Sequence, residues 1–161
     1  MESIPEPEDG DELALLRDWL RYHRDAITAK CAGLTDEQLV ATSVAPSDLS
    51  LLGLVRHLTE MERVYIVRPL RGGELRLVYC TEEEPDGDIV GLNAGMVADS
   101  LKRWHDERAD ADALLAAVTD LDVKIGRYSL RWYLHKVIQE YAGHNGHAAL
   151  IRERIDGARG D

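Results

Sequence analysis

Apolar residues return along most of this chain at three- and four-residue intervals, the spacing that lays a hydrophobic stripe along one face of an α-helix. Four long stretches carry it. Residues 11–31 place Leu13, Leu16, Leu20 and Ile27 on one side and reach a stop at Gly33. Residues 51–70 align Leu51, Leu54, Val55, Leu58, Met61 and Val64 or Tyr65, with Ser50 as cap and Pro69 expected where the helix has frayed or finished. Residues 93–118 turn Met96, Val97, Leu101, Trp104, Ala111, Leu114, Leu115 and Val118 inward. Residues 129–155 carry Leu130, Leu134, Val137, Ile138, Tyr141, Ala148, Ile151 and Ile155 between a Ser129 N-cap and a Gly157 stop. Thr35, with Glu37 and Gln38 in the first turn, opens a short helix or turn over 34–39.

The connections decide how these helices are arranged. Residues 71–92 hold Gly72, Gly73, Pro85, Gly87 and Gly91 and read as one long irregular stretch, with Glu82, Glu83 and Glu84 as a solvated charge run. A helix of about 20 residues spans ~30 Å, and a connection of similar length can return over it, so the next helix can run parallel to the last. Residues 120–127 read as a plain linker, and no strand pattern stands out. The expected fold is all-α: a four-helix bundle with a long crossover between helices two and three. It forms a single domain over 11–157, behind a flexible lead at 1–10.

Composition narrows the function. A chain of 161 residues with a formal net charge of −11 is a poor partner for nucleic-acid phosphates or an anionic membrane surface. No apolar run of about 18 residues is present to span a bilayer. The acidic opening residues lack a signal peptide's basic and apolar regions, so a cytoplasmic location is expected. Cys31 and Cys80 have no motif spacing and read as small buried hydrophobes or free thiols rather than a disulfide.

Candidate chemistry concentrates in the last helix, in the run Gln139-Glu140-Tyr141-Ala142-Gly143-His144-Asn145-Gly146-His147. At about 100° per residue, Glu140, His144 and His147 fall within an arc of roughly 60°. One carboxylate and two imidazoles on a single stripe can supply two or three ligands to one metal ion. Gly143 and Gly146 each cost the helix about 1 kcal/mol relative to alanine, which suggests that a neighbouring helix or a ligand packs closely there. Catalytic zinc sites take three protein ligands and keep one position open. His57, near the start of the second helix, is the natural third donor in a bundle. The favoured set is His57, Glu140 and His144, and His57, His144 and His147 form an alternative. Nitrogen and oxygen donors of this kind take zinc first, with nickel, iron or manganese also admitted. His135 lies about 140° from Glu140 on the helix, and His23 and His105, flanked by Arg and Asp, read as surface or partner-contact residues.

Three segments resemble one known family. They are Ser50-Leu51-Leu52-Gly53-Leu54-Val55-Arg56-His57-Leu58-Thr59-Glu60-Met61-Glu62-Arg63, the run from Glu140 to His147 followed by Leu150-Ile151-Arg152-Glu153, and Ala29-Lys30-Cys31-Ala32-Gly33-Leu34-Thr35-Asp36-Glu37-Gln38-Leu39. Together they resemble the DinB/YfiT-like superfamily, in an actinobacterial branch of unknown function related to mycothiol-dependent maleylpyruvate isomerase. The resemblance runs from about residue 13 to 157 and is weakest over 71–88. It implies an up-down-down-up bundle whose metal is held by one residue of helix two and two of helix four. In many members all three are histidines, and Glu140 matches the His-Glu-His variant. It further implies a low-molecular-weight thiol such as mycothiol as cofactor, S-transferase or isomerase chemistry on a small-molecule substrate, and a homodimer. In that picture the ion activates the thiol, and His147 serves as the catalytic proton carrier or as a partner of a ligand. Arg56 or Arg63 would pair with an acidic cofactor group. The competing expectation is a metal-binding or stress-associated dimeric bundle without catalysis.

Overall fold

The computed structural model describes residues 4–159. The expected lead at 1–10 lies partly outside them, and residues 4–10 have no regular secondary structure. The described chain is mostly helical. Helix α1 (Glu12–Cys31) is capped by Asp11, whose side chain accepts from the Ala14 amide. Helix α2 (Asp36–Leu39) is a single turn closed by a capping box between Thr35 and Gln38. Helix α3 (Leu51–Glu62) starts at Ser50, whose hydroxyl accepts from the Gly53 amide. Helix α5 (Val97–Ala116) follows a 3₁₀ turn at Ala94–Met96. Helix α6 (Leu130–Asp156) is capped by Ser129 and ends at Gly157, which takes a left-handed φ of 77° that suits glycine.

Two expectations are corrected. The second helix does not fray at Pro69. It continues through a π-helical turn (Arg63–Val67) into α4 (Arg68–Arg71), with Pro69 inside the helical run. Proline lacks the N–H and crowds the carbonyl four residues back. The wider i→i+5 turn immediately upstream loosens the ladder where that clash would fall. The linker at 120–127 is not plain either. Strands β1 (Lys124–Ile125) and β2 (Tyr128–Ser129) pair antiparallel around Gly126, whose φ of 61° opens a two-residue hairpin turn. Pairs this short leave no periodicity to read.

Helix α3 packs on both α5 and α6, and α1 packs on α6. Leu51, Leu52, Leu54, Val55 and Leu58 are all at most 1% exposed, so α3 is covered nearly all round. Two arginines tie helix ends to neighbours through main-chain carbonyls. Arg17 of α1 donates to the carbonyls of Leu115, in the last turn of α5, and Val118, just beyond it. Arg152 of α6 donates to those of Lys30 and Ala32 at 2.9 and 2.8 Å.

At the centre lies a buried polar network drawn from all four long helices. Arg24 of α1 grips Glu62 of α3 with two bonds of 2.7 Å. Tyr141 of α6 donates to the same carboxylate at 2.8 Å, and Trp104 of α5 donates to the Tyr141 hydroxyl at 2.9 Å. Glu62 is fully buried, so its charge requires these partners. Burial disfavours the Arg24 charge, but the Glu62 carboxylate reverses the effect and holds the guanidinium firmly cationic. Each bond is directional, so the network fixes how far α6 is rotated and advanced relative to α3. That register brings the residues of the next section together.

Candidate metal centre

His57, Glu140 and His144 converge. One ligand atom from each lies within 4.8 Å of the other two, although His57 belongs to α3 and the others to α6. The rings of His57 and His144 meet edge to face with centroids 4.7 Å apart. His144 Nε2 is 3.7 Å from a Glu140 oxygen. The side chains are 22%, 20% and 18% exposed for His57, Glu140 and His144, sheltered but reachable. Burial pushes the His144 pKa down to about 4, and the neighbouring His57 and His147 rings add to the shift. At neutral pH this imidazole is therefore uncharged, the form that can ligate. Two imidazoles and a carboxylate at this separation fit a divalent ion of zinc type, with Mn, Fe and Ni admitted by the same donors.

His147 lies beside this cluster rather than in it. It is exposed, and its Nδ1 is 3.3 Å from the Nδ1 of His144. The alternative set with His147 in place of Glu140 is not among the groups of potential ligands that converge in the described residues. No neighbouring helix of the chain packs against Gly143 or Gly146, against that half of the expectation: both are exposed, and a Cβ at either would meet nothing within 4 Å. They lie on the outward side of α6, where no neighbour demands the space. His105 and His135 are exposed as expected. His23 is not simply a surface residue, since the Asn145 side chain lies 3.4 Å from its Nδ1 and 3.0 Å from its carbonyl oxygen.

Arg56 and Arg63 already have internal partners. Arg56 donates to the Gly87 carbonyl at 2.8 Å and stacks on the Tyr79 ring, whereas Arg63 pairs with Glu107. Both cysteines are free. Burial raises the Cys31 thiol to about 12 and Cys80 to about 11, the nearby Asp88 adding to the latter. Neither is poised as a thiolate nucleophile.

Two neighbours of the cluster escaped the sequence reading. Lys136 sits one turn before Glu140, pairs with its carboxylate and lies 5.9 Å from the Tyr65 ring centre. Its i,i+4 spacing is a local signal that could have found it. Asp88 comes from the long connection and bonds His57 Nδ1 at 2.8 Å. Burial would raise its pKa, but the bonds from His57 and Cys80 outweigh that and hold it below the usual carboxylate range. Nothing local in the sequence marks it.

That connection is not loose. Glu60 of α3, 1% exposed, accepts from three successive amides, those of Val78, Tyr79 and Cys80, at 3.0, 2.6 and 3.3 Å. A cleft of about 790 Å³ opens on its outer side, lined by Arg76, Leu77, Cys80 and the exposed residues that follow. Glu82, Glu83 and Glu84 are exposed, as a solvated run should be. No helix among the described residues is long and apolar enough to cross a membrane.

Residues 15–157 match the sequence model of one protein family, described as MST: Mycothiol-S-transferase. No curated protein matches the chain.

Proposed function

The chain belongs to the mycothiol-S-transferase family, part of the DinB-like superfamily, and from that membership we propose a divalent-metal-dependent S-transferase whose ion is held by His57, Glu140 and His144. The convergence of those three donors from two helices within 4.8 Å carries the reading. A divalent ion bound there would lower the pKa of a thiol at its open position and offset the charge of the resulting sulfur anion.

The protein's own groups do the rest. His57 and His144 would each offer a ring nitrogen and Glu140 one negative charge, so a divalent ion held there would remain net positive toward an anionic sulfur. His147 is the candidate catalytic proton carrier. Its Nδ1 faces that of His144 at 3.3 Å, and its exposed ring can exchange a proton with water. Lys136, paired with Glu140, lies on the same stripe and adds positive charge near the donors.

The proposal extends to an up-down-down-up four-helix bundle over 11–157 behind the lead at 1–10. The packing of α3 on both α5 and α6, and of α1 on α6, supports it. Zinc is the proposed metal, a mycothiol-type thiol the cofactor and a small electrophile the second substrate. The protein is proposed to act as a homodimer in the cytoplasm, where low-molecular-weight thiols stay reduced.

The test is thiol consumption in the presence of an electrophile, using chelator-stripped protein with and without added zinc. Activity should vanish on stripping, return with zinc, and fail to return in His144→Ala. Thiol transfer that survives both stripping and His144→Ala refutes the proposal.

A further inference from the structure

We infer that Asp88, carried on the long connection between α4 and α5, is a positioning residue: it fixes the His57 ring and couples the docking of that connection to metal binding. The inference rests on the metal-centre reading above and goes beyond it.

A carboxylate only accepts hydrogen bonds, so the proton in the 2.8 Å contact belongs to His57 Nδ1. That fixes the tautomer and leaves Nε2 as the free lone pair. The carboxylate also sets the plane of the ring and raises its basicity as a ligand. Without it, His57 could turn or present the wrong nitrogen.

The way Asp88 is held argues that this contact is built. Asp88 is 4% exposed, and the Cys80 thiol also donates to it. The preceding carbonyl, that of Gly87, is held by Arg56 at 2.8 Å. Gly87 itself lies against the Tyr79 carbonyl so closely that an added Cβ would come within 2.4 Å of that oxygen. Tyr79 in turn donates its amide to Glu60. His57, Arg56 and Glu60 all belong to one turn of α3. The connection is thus strapped onto that turn from two sides, with Asp88 facing the ligand.

Binding linkage then gives a second consequence. If docked Asp88 tightens metal binding by some factor, bound metal tightens docking of the strap by the same factor. Metal should therefore slow exchange of the Val78, Tyr79 and Cys80 amides, which lie outside the ligand set.

The experiment uses the full chain, with zinc titrated against a chromophoric chelator and amide hydrogen exchange read with and without zinc. Removing such a partner of a ligating histidine typically weakens metal binding about 10- to 100-fold, the loss expected for Asp88→Ala. Asp88→Asn keeps an acceptor for Nδ1–H but not the charge, so its loss should be smaller. Zinc should protect the strap amides in the parent and not in Asp88→Ala. Zinc affinity of Asp88→Ala within about threefold of the parent overturns the inference, as do equal losses in the two variants. If Asp88→Ala fails to fold, Asp88→Asn decides alone: zinc protection of the strap undiminished from the parent overturns the inference. A parent chain that does not bind zinc sinks the metal centre and this inference with it. A parent that binds, beside an Asp88→Ala that binds equally, sinks only this inference.

Discussion

Replacing Tyr141 with phenylalanine tests the buried network that sets the register of α6. The substitution removes one oxygen and almost no volume, so no sizeable cavity forms. It deletes two bonds: the one donated to Glu62 at 2.8 Å and the one accepted from Trp104 at 2.9 Å. The first is made to a charged group and is worth about 1.5–3 kcal/mol, and the second is neutral and worth about 1 kcal/mol. Trp104 is 1% exposed, so water cannot replace the partner its N–H loses. The expected destabilisation is about 2.5–4 kcal/mol, or roughly 5–15 °C in Tm for a chain of this size. Urea unfolding of the metal-free protein, followed by circular dichroism, measures it. The m-value should stay constant, since the surface exposed on unfolding is unchanged. Tyr133→Phe is the control: its hydroxyl makes one half-buried bond of 3.2 Å to the Ile125 carbonyl, and its loss should cost about 1 kcal/mol or less. A Tyr141→Phe cost below about 0.5 kcal/mol, or one equal to the control, refutes the assignment of register to this network.

Three further outcomes follow from other parts of the molecule. Gly143→Ala and Gly146→Ala should each stabilise the chain by about 1 kcal/mol, read as a rise in urea midpoint, because the added methyl meets open space in a helix interior. The metal-free protein should lose stability on acidification: the His144 pKa is about 4 when folded, below its ordinary 6.5, so the unfolded chain takes up the proton first. That contribution is fully present above about pH 6.5 and falls by about 2 kcal/mol by pH 5, and the His144→Gln variant should lack this component. Lys136→Met should tighten zinc binding up to about fivefold in a competition titration, since the ammonium competes for Glu140 and repels the ion across an ion pair worth about 1 kcal/mol or less.

What could be read in the sequence was what is local. Thr35, Ser50 and Ser129 all cap helices as read, because capping is settled within four residues. The pairing of Glu140 with His144 follows from helical geometry alone, and His57 follows once two helices are allowed to face each other. The contacts that organise the interior were not legible. Arg24, Glu60 and Glu62 are not part of the apolar stripes, yet each is buried against a partner far along the chain. Asp88 and His57 are 31 residues apart, with no periodicity between them. Gly143 and Gly146 pointed to a neighbouring helix that is not there, because a sequence shows that glycine is present but not what lies beside it. Pro69 misled because the π-helical turn that accommodates it has no sequence signature.

Glu60 reaches its three partners through main-chain amides and touches none of their side chains to do so. Such a grip is indifferent to spelling: any residue but proline offers the same N–H. Tyr79 and Cys80 have further ties, to Arg56 and Asp88, but the exposed Arg76 and Leu77 beside them, which line the cleft, can be rewritten while the path of the connection over α3 is preserved. The lining of the cleft is in this way free to vary without disturbing His57, Glu140, His144 or the helices that carry them.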